Sequence, residues 1–141
     1  MNLEHQVVSL HLAKRLKELG VKQGSYFYWR GVTWNTPEAK TAFPVWELRA
    51  KNYREEREGY RTKDIVAAFT VAELGEMLPQ LQFDKKHCVV CSYQFAGTSG
   101  YACDIVSVRG GGYLHREMGL TEADARAKML VYLLENKLIS V

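Results

Sequence analysis

The sequence lacks the features that mark secreted, membrane-spanning or disulfide-stapled proteins. Its three cysteines are an odd number at uneven spacing, which makes no disulfide framework, so we expect reduced thiols. No stretch approaches the roughly 18 uninterrupted apolar residues that a transmembrane helix requires. The first residues have no basic stretch followed by an apolar run, so we expect no secretory signal. Together these absences predict a cytoplasmic protein without membrane contact.

The chain also lacks a strong charge of either sign. Its net charge is +3, and the whole excess falls in residues 30–63, which hold eight basic and five acidic side chains, against eleven of each elsewhere. Nucleic-acid-binding modules usually present a more lopsided basic face. The interleaved acids therefore favour a solvated surface.

What the sequence does contain is an ordinary globular composition, 47% hydrophobic and 25% charged over 141 residues. A chain of this length buries roughly two-thirds of the surface that its unfolded form exposes. We therefore predict one domain over residues 1–141 that needs no disulfide, metal or cofactor to fold.

Helix signals occur at three places. In the first, apolar residues recur at helical spacing between an N-cap at Ser9 and a glycine stop at Gly20, which predicts a helix of about eleven residues. In the second, Thr70 and Glu73 stand at the two positions of a capping box, and Pro79 ends the helix that follows.

The third helix signal is the clearest in the chain. Thr121 is its N-cap, with Asp124 in the box position. Glu122–Arg126 and Asp124–Lys128 are i,i+4 pairs in the favourable orientation. A wide apolar stripe follows, formed by Ala123, Ala127, Leu130, Val131, Leu134 and Leu138.

Three segments predict strands. Ser25–Arg30 is aromatic and bounded by glycines, while His87–Phe95 and Tyr101–Val108 flank a Gly-Thr-Ser-Gly tract that predicts a hairpin. Residues 31–62 form a long irregular excursion, with a short strand or helix around Val45–Leu48. The order α-β-excursion-α-β-β-α predicts an α+β fold, in which about three helices pack on a small, mainly antiparallel sheet.

The cysteine spacing resembles half of a zinc site, but the residues between the cysteines argue against one. Two valines between Cys88 and Cys91 favour a strand over the tight turn of a zinc knuckle, and in a strand the two thiols point to opposite faces. With the hairpin turn centred on Thr98 and Ser99, Cys103 pairs near Gln94, on the face of Cys88. The three thiols therefore do not cluster, and we predict no metal.

A catalytic thiol at Cys91 or Cys88 remains an alternative. His87 shares a strand face with Cys91, but their Cα atoms stand roughly 13 Å apart, too far for a hydrogen bond within the strand. Nothing in the sequence singles out another histidine as the base.

Two further motifs fail as functional signatures. His115-Arg-Glu117 matches the H-x-E of zinc deaminases, but no P-C-x-x-C follows it. Arg109-Gly-Gly-Gly-Tyr113 does not open directly into a helix N-terminus, as a phosphate loop does. We expect a glycine-rich connection or a bulge there. No catalytic residue is predicted.

Aromatic and basic residues coincide in residues 26–63. The aromatic members are Tyr26, Tyr28, Trp29, Trp34 and Trp46. The basic members include Arg30, Arg49, Lys51, Arg54 and Arg57. This combination suits a single-stranded nucleic-acid site, a protein contact, or core and edge packing, with Phe27 and Trp29 on the core face of the strand.

Three segments carry a family resemblance: residues 13–20, 70–79 and 121–136. They resemble small uncharacterised proteins encoded by phages and prophages of gut bacteria, over about half of the chain. The chain is also similar to the small αβα-sandwich domains found in such elements. The resemblance implies a cytoplasmic accessory protein and supplies no site residue, because the matched positions are helix caps, stops and apolar stripes.

The first hypothesis is therefore a non-enzymatic accessory protein that binds a protein or peptide, with residues 31–62 as its functional part. The alternatives are a weak single-stranded nucleic-acid binder acting through the basic aromatic segment, and a cysteine-dependent enzyme. Oligomeric state is left open.

Overall fold

A computed structural model describes residues 2–32, 35–36, 39–40, 44–51, 65–78, 81–83, 86–110 and 112–140. After a 3-10 turn at Leu3–His5, the helices are α1 (Leu10–Glu18), α2 (Val71–Met77) and α3 (Glu122–Glu135). The strands are β1 (Phe27–Val32), β2 (Asn35–Thr36), β3 (Ala39–Lys40), β4 (Val45–Ala50), β5 (Ile65–Ala67), β6 (Leu81–Phe83), β7 (Lys86–Gln94), β8 (Tyr101–Ser107) and β9 (Tyr113–Gly119). The predicted α+β class is confirmed. Across the described residues, every helix is too short or too polar to cross a bilayer.

The strands divide among three antiparallel sheets. The first sheet has the order β4-β1-β5, the second sheet has the order β6-β7-β8-β9, and β2 and β3 form the third. Six consecutive residue pairs join β1 to β4, from Phe27 opposite Ala50 to Val32 opposite Val45. The excursion predicted at 31–62 is therefore not irregular throughout, because residues 45–50 complete the first sheet.

Helix α3 lies between the two main parts of the core. Ala123, Ala127 and Leu130 pack with α1, α2 and the first sheet. Ala125, Met129 and Leu133, which the predicted stripe omitted, pack against the second sheet. A helix buried on two sides carries apolar residues around most of its circumference, so a single stripe describes only half of its contacts.

The helix boundaries follow the predicted caps with one correction. Thr70 and Glu73 form the complete capping box, and Gly20 adopts a left-handed φ of 87° after α1. Thr121 caps α3 by accepting from the Asp124 amide at 3.1 Å. Ser9, however, makes no side-chain cap bond.

The Asp124 carboxylate contacts the start of α1 and not its own helix. Instead of closing a box on its own helix, Asp124 Oδ1 accepts a 2.8 Å hydrogen bond from the backbone amide of Ser9. The predicted Glu122–Arg126 pair is present at 2.8 Å, whereas Lys128 Nζ donates to the Met118 carbonyl on β9. The hydrogen bond between Ser9 and Asp124 joins the start of α1 to the start of α3. Pro79, the predicted stop of α2, lies outside the described residues.

The second sheet departs from the prediction in register and in strand number. The hairpin pairs Cys103 with Ser92 rather than Gln94, because Gly97, at a φ of 78°, places the turn earlier. A shift of two residues leaves the predicted faces unchanged. Beyond the glycine run, β9 adds an unpredicted strand with a bulge, where Leu114 is the extra residue between His115 and Tyr113.

Candidate functional site on the second sheet

The outer face of the second sheet, the face turned away from α3, carries a row of three polar side chains. Cys91 on β7 stands opposite Asp104 on β8, and Asp104 stands opposite Arg116 on β9. The neighbouring pairs Ser92–Cys103 and Cys103–Glu117 belong to the inner face, because side chains alternate along each strand. Antiparallel pairing of the three strands therefore brings a carboxylate, a guanidinium and a thiol side by side.

Asp104 and Arg116 form a bidentate ion pair. Arg116 Nε donates to Asp104 Oδ1 and Nη2 donates to Oδ2, both at 2.8 Å. The Tyr93 hydroxyl donates to Oδ2 at 2.9 Å and accepts from Arg116 Nη2 at 2.7 Å. The Asp104 side chain is 4% exposed and that of Arg116 25%, so the pair is sealed on the carboxylate side. This fork geometry fixes the orientation of the guanidinium.

Three aromatic rings surround the guanidinium. The Arg116 guanidinium carbon lies 4.0 Å from the ring centre of Tyr113, 5.4 Å from that of Phe95 and 6.0 Å from that of Tyr93. These distances are within the range of cation–π attraction. The Arg116 side chain is thus held by the Asp104 carboxylate on one side and by aromatic rings around it. We call these five residues the arginine cluster: Tyr93, Phe95, Asp104, Tyr113 and Arg116.

Ionisation in the cluster follows from these contacts. The hydrogen bonds from Arg116 lower the pKa of Asp104, against the opposing effect of burial. The bond to Asp104 raises the pKa of Tyr93, and that of Arg116 rises for the same reason. The cluster therefore holds one negative and one positive charge at neutral pH, and its net charge is zero.

Exposed apolar side chains concentrate on this part of the molecule. Of the ten large hydrophobic side chains exposed in the described residues, six lie between residues 93 and 120. Tyr93, Tyr113 and Met118 flank Arg116 at 39%, 57% and 41% exposure, and Leu120, just past β9, is 81% exposed. Tyr93, Tyr113 and Met118 therefore place partly exposed apolar side chains beside Arg116 on the outer face.

The cysteines are placed as their strand positions predicted. Cys88 and Cys103 are buried on the inner face and Cys91 is exposed on the outer face, and all three cysteines are in the reduced form. Burial raises the pKa of Cys103 to about 12, and burial and the Asp104 charge raise that of Cys91. Neither environment favours the thiolate that nucleophilic chemistry requires. Within the described residues, no group of three potential ligands assembles for a metal.

His115 and Glu117 lie on the inner face of β9. Their side chains form a 2.8 Å hydrogen bond, and the His115 ring stacks on Tyr132 of α3 at 3.5 Å between ring centres. The two residues that match the H-x-E pattern therefore serve packing, because His115 joins β9 to α3. Within the predicted glycine-rich connection, residues 108–110 form a turn and Tyr113 already begins β9.

The basic aromatic segment uses its described tryptophans for packing. Trp29 Nε1 donates to the Val8 carbonyl at 3.0 Å, and both Trp29 and Trp46 pack against the main core. Lys14 Nζ covers the Trp46 ring at 4.3 Å. Tyr26 is 74% exposed, while Trp34, Arg54 and Arg57 lie outside the described residues. Single-strand binding by this segment stays a prediction, tested by an affinity that falls steeply with salt.

Two depressions border the second sheet. A cleft of about 960 Å³ opens between the N-terminal segment and the start of α3, lined in part by His5, Gln6, Glu122 and Arg126. A smaller pocket of about 130 Å³ lies behind it, beside Ser92 and Cys103. Arg126 separates the two by bonding Ser92 Oγ, Glu122 and the Val71 carbonyl. Its guanidinium is committed to joining α2, α3 and the second sheet.

Sequence reasoning singled out no residue of the arginine cluster. One signal was available: Asp104 is a lone carboxylate within an apolar strand, and a buried carboxylate requires a partner. No protein-family model matches the chain, and no curated protein or solved structure does either. The geometry on the second sheet is therefore the basis for a functional proposal.

Proposed function

We propose that the chain is a non-enzymatic interaction protein that binds a protein partner through the outer face of the second sheet. The accessory role in the cytoplasm that the phage-type resemblance implies belongs to the same proposal. The proposal rests on the arginine cluster. In this cluster a buried carboxylate fixes the orientation of a guanidinium among partly exposed aromatic rings.

The composition of this face supports a protein partner. Tyr and Arg are enriched among the residues that dominate binding energy at protein interfaces, and rigid anchors lose little entropy on binding. The zero net charge argues against a phosphate backbone, because binding to nucleic acid depends on positive charge that releases counterions. The negative charge of Asp104 offsets the positive charge of Arg116.

The proposal also relocates the binding region. The sequence placed it in residues 31–62, but within the described part of that segment residues 45–50 form β4 of the first sheet, whose outer face carries the ion pairs Arg30–Glu47 and Arg49–Glu47. Exposed ion pairs such as Arg49–Glu47 contribute little free energy.

The test compares matched surface variants in affinity capture from host cells. Tyr113→Ala with Met118→Asp changes two exposed residues of the second sheet, and Tyr26→Ala with Arg49→Ala changes two exposed residues beside the first sheet. We expect the first variant to lose partners that the wild type and the second variant both retain. Partners lost only by the second variant would refute the proposal, as would a partner set that neither variant changes.

A further inference from the structure

Arg126 on α3 forms the boundary between the two cavities that border the second sheet. Among the described residues, it alone lines both the cleft of about 960 Å³ and the inner pocket of about 130 Å³. Its side chain is 23% exposed, so part of it is already in contact with solvent. The two cavities therefore share a wall that a side chain provides.

Three hydrogen bonds hold the Arg126 guanidinium in this position, and its partners belong to both cavities. Nη1 donates to the Val71 carbonyl at 3.0 Å and Nη2 donates to Glu122 Oε1 at 2.8 Å, and both partners line the cleft. Nε donates to Ser92 Oγ at 2.9 Å, and Ser92 lines the pocket. The side chain thus extends from one cavity to the other.

A glycine leaves the space that the guanidinium occupies. A Cβ at Gly75, which lines the pocket, would collide with Arg126 Nη1. Apart from α2 itself, the described residues place no other atom than those of Arg126 within 4 Å of that position. When the guanidinium turns away, the space between Gly75 and the second sheet is therefore left open.

We propose that Arg126 is a gate, and that the cleft and the inner pocket become one site when its side chain turns into the cleft. The inference does not depend on the proposed function, which concerns the opposite face of the sheet. Opening needs only a side-chain rotation into a cleft that has room for it. Each bond that breaks has a modest net cost, because the released groups can bond water, and Ser92 Oγ keeps its 2.6 Å bond to Glu122.

The cysteines distinguish a gate from an arginine that only joins the helices to the sheet. Cys103 and Cys88 are both buried on the inner face, but Cys103 lines the pocket and Cys88 lines neither cavity. A gate admits a reagent to Cys103 alone. Without a gate, both thiols react only when the chain unfolds, and their rates then change together.

The experiment is alkylation of the full chain with iodoacetamide in the absence of denaturant, with each cysteine followed by peptide mass spectrometry. The exposed Cys91 should react first, and Cys103 should react faster than Cys88. Arg126→Ala should raise the ratio of the Cys103 rate to the Cys88 rate by about tenfold or more. Loss of the arginine charge raises the pKa of Cys103 and by itself slows alkylation, so the faster reaction reports access.

The matched control is Arg15→Ala, which removes an arginine that also joins two helices, through Glu135, but lines neither cavity. It should leave the ratio within about twofold of the wild type. Ser92→Ala is a milder second variant that removes one of the three acceptors. It should raise the ratio about fivefold, the effect of one hydrogen bond, and it decides the question if circular dichroism shows that Arg126→Ala is unfolded.

Parallel reaction of Cys103 and Cys88 in a folded variant would overturn the inference, because Arg126 would then only join the helices to the sheet. A Cys103 rate in the wild type equal to that in folded Arg126→Ala would also overturn it, because the pocket would then be open without movement of the arginine. A rise of the ratio in Arg126→Ala or Ser92→Ala, without a rise in Arg15→Ala, supports the gate.

Discussion

The two main sheets carry the same pair of charges on their outer faces in different surroundings. On the first sheet, Glu47 forms an open pair with Arg49, at 32% and 51% side-chain exposure, and a longer contact of 3.5 Å with Arg30, which is 14% exposed. On the second sheet, Asp104 is 4% exposed beneath Arg116 and the aromatic rings. An ion pair open to water is weakened by solvent and salt, whereas a sealed pair fixes its members in place. The comparison shows that burial decides whether an ion pair only interacts with solvent or also holds the neighbouring side chains in a fixed arrangement.

The largest expected effect comes from a glycine at the end of the second sheet. A Cβ at Gly119 would lie 2.6 Å from the Ala125 amide nitrogen and 2.9 Å from the Thr121 carbonyl oxygen. Both are backbone atoms at the start of α3, so Gly119→Ala should lower the free energy of unfolding by about 3 kcal/mol. Urea denaturation measures this change, and a loss below about 1 kcal/mol would contradict such a close approach of strand and helix.

Removing the sealed carboxylate should have the next largest effect. Asp104→Ala leaves Arg116 without its partner and the Tyr93 hydroxyl without an acceptor. Because Arg116 is a quarter exposed and can turn to water, we expect a loss of about 2–3 kcal/mol, at the lower end for a broken buried pair. Urea denaturation of this variant beside the wild type checks it, and an unchanged midpoint would mean that the pair is not sealed.

The same pair predicts a dependence of stability on pH. Hydrogen bonds from Arg116 lower the pKa of Asp104 in the folded chain, so the unfolded chain binds this proton at a higher pH. The stabilisation is present in full above about pH 4 and is lost as the pH falls through the lowered pKa. The stability difference between wild type and Asp104→Asn should narrow from pH 6 to pH 2. A difference independent of pH would exclude ionisation as its source.

A glycine of the first sheet provides a milder counterpart to Gly119. A Cβ at Gly31 would lie 3.2 Å from the edge of the Trp46 ring, a side chain that can move by a few tenths of an ångström. Gly31→Ala should therefore cost about 1 kcal/mol, less than the backbone clash at Gly119. Thermal unfolding of the two variants side by side gives the order, and the reverse order would contradict the packing of Trp46.

The smallest effect is expected at the open ion pair. Glu47→Ala removes a carboxylate that contacts two arginines, but about a third of its side chain is exposed to solvent, which weakens both pairs. We expect an unfolding midpoint unchanged within experimental error, and a measurably lower salt dependence of that midpoint. A destabilisation as large as that of Asp104→Ala would remove the distinction between the two faces.

Local signals in the sequence predicted the helices well. The capping box at Thr70 and the glycine stop at Gly20 depend on residues within one turn, and both are confirmed. Strand β9 was missed because Tyr113–Gly119 mixes polar and apolar residues without strict alternation and contains a bulge at Leu114. The hairpin was predicted, but its register depends on the conformation of Gly97, which several turn types permit.

The arginine cluster depends on two pairings that local signals do not determine. Arg116 reaches Asp104 only because β9 adds to β8 in one register, and Tyr93 reaches Asp104 only through the register of the hairpin. A slip of one residue in either pairing would turn one partner to the opposite face. The lone carboxylate in β8 predicts a partner without saying which residue it is.

The hydrogen bond from the Ser9 amide to Asp124 has a consequence for how the chain is made. The two residues are 115 positions apart, so the ribosome adds more than a hundred residues before the start of α1 can gain its partner. Contacts of such long sequence separation form late, because a large loop must close first. Helix α1, although synthesised before α3, therefore gains this contact only after α3 has been made.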